Sequence, residues 1–188
     1  MKKILSVLIF ALVMSVEGFS QIKVGRTVMD YTKESFGEKL TMNGAGDRSI
    51  LFIELYSTAL YLQKKSKDAL GICFADETMS LSMVVTSKII DRETFLEAIT
   101  EDFDRVTDHN LGPLQERITK TTDLFIDPIV KNDLIDFNYE KGVGTHFVKN
   151  GKELGVIKGQ DFKFALFKIW LGDEPVNEKL KDELLGIY

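Results

Sequence analysis

The sequence predicts an α+β fold in which helices pack on one face of a mainly antiparallel sheet. Three observations carry this reading. Several segments alternate apolar and polar residues, the period of a half-buried strand, with turn signals between them. Other segments space apolar residues at i, i+3, i+4 and i+7, the stripe of an amphipathic helix. The order is strands, helices, strands, helices, and the tight hairpins favour antiparallel pairing over parallel crossover units.

Residues 22–29 read as a first strand or a pair of short ones. Asn43-Gly44-Ala45-Gly46-Asp47 is a turn by composition. Residues 49–62 are dense in Ile, Leu, Phe and Tyr and predict one long, largely buried strand. Residues 66–74 suit a short helix. Met79, Leu81, Met83 and Val85 alternate with Ser80, Ser82, Val84 and Thr86, which predicts a half-buried strand. Asp91 suits the N-cap of a helix whose apolar side is Phe95, Ile99, Phe103 and Val106. Leu111-Gly112-Pro113 breaks that helix, and Pro113 suits the first turn of the next. Leu114, Ile118, Thr121 and Phe125 give the second helix its apolar side, and Asp127-Pro128 ends it.

Ile135, Phe137 and Tyr139 alternate with Asp136, Asn138 and Glu140, another strand, and Gly142-Val143-Gly144 turns the chain. Asn150-Gly151 joins residues 145–149 to 152–157 as a hairpin, because both residues tolerate the positive φ of a type I′ turn. Phe162, Ala165, Leu166, Ile169 and Trp170 mark a helix stopped by Gly172. Asn177 suits the cap of a last helix carrying Leu180 and Leu184.

A chain of 188 residues suits one domain, and buries roughly 70% of its unfolded surface without help from a disulfide or a metal. The 24 Lys and Arg against 29 Asp and Glu give a net charge of −5 with no basic run, which gives no electrostatic reason to bind nucleic acid. One cysteine and two histidines exclude a disulfide framework and most zinc sites, and no cofactor is expected. Cys73 is expected to be buried. Met1-Lys2-Lys3, an apolar stretch over residues 4–16 and then Gly18 and Ser20 have the order of a secretory signal peptide. The apolar run is shorter than the roughly 20 residues of a membrane-spanning helix. Cleavage is expected after Ser20, leaving residues 21–188 as a single soluble domain, periplasmic or secreted.

The chain has no HExxH, CxxC or GxSxG. Gly44-Ala45-Gly46 lacks the third glycine of a dinucleotide fingerprint, Ser49 standing there, and leads into a strand rather than a helix. Arg48 opens an otherwise apolar segment. An arginine in that place can hold a planar carboxylate through two parallel hydrogen bonds, or can pair with Asp47, Glu54 or another protein carboxylate. Spacing alone leans to the ion pair. Tyr56 and Tyr61 read as core residues with tethered hydroxyls, and the aromatic stripe from Phe162 to Trp170 reads as core.

Asn43-Gly44-Ala45-Gly46-Asp47-Arg48, followed by Tyr56-Ser57-Thr58-Ala59-Leu60-Tyr61-Leu62, resembles the chalcone isomerase-like family. So do Asn150-Gly151-Lys152-Glu153-Leu154-Gly155, and Ile169-Trp170-Leu171-Gly172-Asp173 with Pro175-Val176. The four blocks in order run from about residue 25 to the C-terminus and are similar to the exported bacterial branch. The resemblance implies an open-faced β-sandwich, a large antiparallel sheet with helices layered on one side. The family includes plant enzymes that close a chalcone into a flavanone, and non-enzymatic relatives that hold a fatty-acid carboxylate with an arginine and a tyrosine.

Carried over, Arg48 matches the arginine of both branches. Tyr56 falls where the enzymes have threonine and the fatty-acid binders tyrosine. Phe95, Asp102 and Lys163 are the remaining pocket positions, where the enzymes carry tyrosine, asparagine, and serine or threonine. The hydroxyl and amide groups that position chalcone are thus replaced. The interval from Arg48 to Tyr56 is shorter than in either branch. Eight residues of straight strand span roughly 26 Å, so the pair can share a carboxylate only if the strand bulges or bends between them.

The resulting expectation is an exported protein that binds a fatty acid or similar apolar carboxylate without chemistry. The alternatives are a chalcone isomerase-type intramolecular lyase, and a structural or interaction module that binds no small molecule.

Overall fold

Alternation of residue type builds a sheet whose strand order follows the chain. The computed structural model describes residues 20–187. The expected leader, up to residue 19, lies outside the described residues. A hairpin of β1 (Gln21–Val24) and β2 (Thr27–Asp30) comes first, turning at Gly25. Then β3 (Thr32–Ser35), β4 (Glu38–Ile50) and β5 (Ile53–Leu62) follow one another. Helix α1 (Ala69–Phe74) precedes β6 (Met79–Val85). Two helices, α2 (Arg92–Val106) and α3 (Gln115–Leu124), separate β6 from β7 (Leu134–Glu140). Strands β8 (Gly144–Lys149) and β9 (Lys152–Ile157) lead to α4 (Gln160–Leu171) and α5 (Glu178–Leu184). Strands β3 to β9 form one seven-stranded antiparallel sheet in sequence order.

The helices cover one face. Leu60, Leu81, Phe137 and Phe147 project from the sheet against Phe103 of α2 and Phe162, Leu166 and Trp170 of α4, all buried. Each such side chain contributes roughly 1.5–3 kcal/mol by leaving water. On the other face Leu40, Met42, Ala59 and Tyr61 pack under Val24 and Met29 of the first hairpin. The sheet also curls. Lys33 on β3 reaches Ser80 and Ser82 on β6, at 3.0 Å each, and Asp136 on β7 at 2.6 Å. The serines of β6 are therefore buried in a polar network, not solvated as a half-buried strand would leave them.

Local signals place the helices well. Asp91 and Thr94 cap α2 reciprocally, with Thr94 N–H to Asp91 Oδ1 at 2.9 Å. Asn177 caps α5, and Asn150 and Gly151 take φ values of 51° and 78° in the β8–β9 turn. Pro113 sits just ahead of the N-cap, Leu114, rather than inside the first turn of α3.

Strand β4 overturns two expectations, and β3 is a strand the sequence pattern did not mark. Asn43 to Asp47 is no turn but the middle of β4. Its glycines admit α5: a Cβ at Gly44 would lie 2.1 Å from the Glu183 carbonyl oxygen and 2.5 Å from that of Leu184. The Asn43 amide holds the same junction, donating to the Leu184 carbonyl at 2.8 Å and the Ser66 carbonyl at 2.9 Å. Residues 49–62 are not one strand either. Ile50 pairs with Ile53, so Leu51-Phe52 is a two-residue turn, with Leu51 at φ 57°.

Candidate functional site

That turn brings Arg48 and Tyr56 together. They are cross-strand partners on β4 and β5, and residues paired this way project from the same face with Cβ atoms about 4.5–5.5 Å apart. The obstacle of a straight strand disappears, because a hairpin and not a bulge within one strand joins the two positions. A register irregularity between Arg48 and Ser49 adds a local kink.

Between this pair and α2 lies a cleft of about 350 Å³, within the roughly 300–1,000 Å³ usual for small-ligand sites. Tyr56, Met83 and Phe137 form its sheet side, and Phe95, Ile99 and Asp102 its α2 side. Trp170 of α4 is buried at the closed end, while Ile50, Leu51, Ile53 and Ile89 lie exposed at the mouth. The lining is apolar apart from Arg48, Tyr56, Thr94 and Asp102. Thr94 is a cleft residue that the sequence reading missed, and its hydroxyl is engaged with Asp91 at 2.8 Å.

The polar groups differ in how they are committed. The Trp170 indole N–H donates to the Tyr56 oxygen at 3.1 Å. The phenol proton remains free to be given elsewhere. Burial pushes the Tyr56 phenol up to about 12, so it stays a neutral donor. Burial also raises the Asp102 carboxyl above its usual range, opposed by Arg105, which is hydrogen-bonded to it, and by the charge of Arg48. Arg105 also donates to the Glu174 carbonyl.

The ion pairs considered for Arg48 do not form. Asp47 accepts from Ser49 at 2.8 Å. Glu54 accepts from the Arg26 backbone N–H and from Ser57, both at 3.1 Å. Among the described residues Arg48 has no hydrogen-bond or ion-pair partner.

A sequence profile of the chalcone isomerase-like family matches residues 21–186. The chain belongs to the chalcone isomerase-like family. Its fold is similar to that of a fatty-acid binding protein of Arabidopsis thaliana. The TM-score is 0.69 at 17% sequence identity, over 88% of this chain and 96% of that one. No curated protein matches the sequence. No helix among the described residues is long and apolar enough to cross a membrane.

In this chalcone isomerase-like chain the family blocks divide between scaffold and cleft. Asn43 to Gly46 seat α5, and Asn150-Gly151 makes a turn. Arg48, Tyr56 and Trp170 face the cleft, as do Phe95 and Asp102. Trp170, read from spacing as core alone, is both core and cleft wall. Lys163 is elsewhere. Its Nζ donates to the carbonyls of Ile72, Cys73 and Ala75 at 2.8, 2.9 and 2.8 Å, closing the C-terminal end of α1. Burial pulls its ammonium down to about 8. It does not line the cleft, because α1 consumes all three of its protons.

Proposed function

We propose that this protein binds a fatty acid or a similar apolar carboxylate without chemistry, and is exported after removal of residues 1–20. Arg48 and the Tyr56 hydroxyl hold the carboxylate, and the apolar cleft takes the chain. One observation carries the reading: a guanidinium without a partner among the described residues stands beside a neutral phenol donor on the adjacent strand, at the edge of an apolar cleft. Among the isomerase positions inferred from the family resemblance, Phe95 can neither donate nor relay a proton, and Asp102 brings a carboxylate where an oxyanion would need donors. The non-catalytic reading is therefore preferred over the lyase.

Calorimetric titration with acids of increasing length tests the proposal. Each added CH₂ should strengthen binding by roughly 0.8 kcal/mol until the cleft is full. Arg48→Ala should weaken it roughly ten- to a hundredfold, the loss of a charge-assisted hydrogen bond. Equal affinity of wild type and variant for every acid would sink the binding reading, and chalcone turnover abolished by Arg48→Ala would restore the enzyme. N-terminal sequencing of the mature protein should begin at or near Gln21, and a chain that retains Met1 overturns the export.

A further inference from the structure

We propose that the end of the sheet bearing the Leu51-Phe52 turn is a bilayer-docking surface, which sets the mouth of the cleft on an anionic lipid membrane. Three chain segments emerge there together. Tyr56 pairs with Arg48 on one side and with Val85 on the other. Val85 in turn bonds the backbones of Asn132 at 2.7 Å and Asp133 at 3.0 Å. The β4–β5 turn, residues 86–91 and residues 125–133 therefore leave the sheet at one end.

Their apolar side chains stand in water: Ile50 is 50% exposed, Leu51 86%, Phe52 97%, Ile89 57%, Ile126 81% and Val130 54%. Single exposed apolar residues are ordinary, but a cluster at the rim of an apolar cleft marks an interaction surface. The turn itself does not explain them. Two-residue hairpin turns favour Asn and Gly because of the positive φ they require. Leu51 adopts φ 57° where glycine or asparagine would do so more readily.

Charge and the cleft select the occupant. Lys88 and Lys131 adjoin Ile89 and Val130, are exposed, and have no hydrogen-bond or ion-pair partner among the described residues. Of the acids nearby, Asp127 pairs with Lys152 at 3.8 Å, Asp133 with Lys149 at 3.1 Å and Glu93 with Arg92 at 3.5 Å, and Asp91 caps α2. An apolar tip fringed by free lysines matches an anionic lipid surface locally, against the chain's overall net charge of −5. A protein face would mix polar anchors into its contact, and residues 50–53 carry none. Ile50, Leu51 and Ile89 also line the cleft. Docking would let an acyl chain pass from bilayer to cleft without crossing water; this route rests on the acid-binding reading above, whereas the docking itself does not.

Flotation with vesicles of phosphatidylcholine and phosphatidylglycerol in equal parts, and of phosphatidylcholine alone, tests the docking. Wild type should partition onto the mixed vesicles. A Phe52→Ser, Ile126→Ser double variant should do so at least roughly tenfold more weakly, since neither residue's burial in lipid remains. A Lys88→Gln, Lys131→Gln variant should lose the preference for the anionic lipid. Neither Phe52 nor Ile126 lines the cleft, so decanoate titrated in lipid-free solution should bind the Phe52→Ser, Ile126→Ser variant as it binds wild type. Wild type that ignores both vesicles, or a double variant that binds them equally, overturns the docking even if decanoate binds. Vesicle binding lost in the variant without any decanoate binding leaves the docking standing and removes the acid reading. Self-association that needs Phe52, with no vesicle binding, makes a second copy the occupant and overturns the proposal.

Discussion

At Lys163 the backbone itself solvates a buried cation: three carbonyls at the end of α1 accept hydrogen bonds from its ammonium group. Lys163→Met should destabilise the fold by about 1–3 kcal/mol by stranding those carbonyls, measured by chemical denaturation, and should leave decanoate affinity unchanged. The pH dependence follows from the same burial. The side chain keeps its proton to 10.5 in the unfolded chain and only to about 8 in the folded one. Between those values the unfolded chain binds more protons, so this group's contribution to stability grows as pH rises from 8 to 10.5 and is lost as pH falls back through 8. The rise should be absent in Lys163→Met. The lysine's role was not legible in the sequence because its partners lie 88 to 91 residues away. Arg48 was legible as a charged residue at the edge of an apolar segment, but its neighbour Tyr56 was placed far away because nothing at Leu51-Phe52 signals a turn.

At the scale of elements, the α5–β4 junction separates two glycines that look alike in sequence. Gly44→Ala places a methyl group against the backbone carbonyls of Glu183 and Leu184, which cannot move without undocking α5. It should destabilise by about 1–3 kcal/mol or more. Gly46→Ala meets chiefly the Glu183 carboxylate, the far end of a flexible side chain, and only marginally the Glu183 Cβ at 2.9 Å, so it should cost less in the same denaturation series. Equal losses would mean that α5 does not rest on β4 as described. Helices α2 and α5 and the β8–β9 hairpin were legible because caps, apolar period and Asn-Gly act within a few residues of each other. The interior of β4 was not, because its glycines answer to a helix 141 residues further on, at Asn43 and Leu184.

For the whole molecule, the sheet, α2 and α4 enclose the cleft jointly, so an acid held there should stabilise all of them together. Decanoate at a hundred times its dissociation constant should raise unfolding free energy by about 2.7 kcal/mol, read from denaturant midpoints, and the same concentration should give much less with Arg48→Ala. No stabilisation of wild type at any concentration would show that decanoate does not select the folded state. The in-sequence strand order has a further consequence, for how the molecule assembles in time. Every pairing in the seven-stranded sheet joins strands that are consecutive in the chain, which keeps loop closure short for all but the β6–β7 pair, where α2 and α3 intervene. The contact of α5 with β4 reaches much further, 141 residues from Asn43 to Leu184. A nascent or threaded polypeptide can therefore zip its sheet progressively, yet β4 keeps an uncovered glycine strip until α5 emerges. Docking of α5, more than formation of the sheet, sets the moment at which the molecule becomes resistant to misassembly.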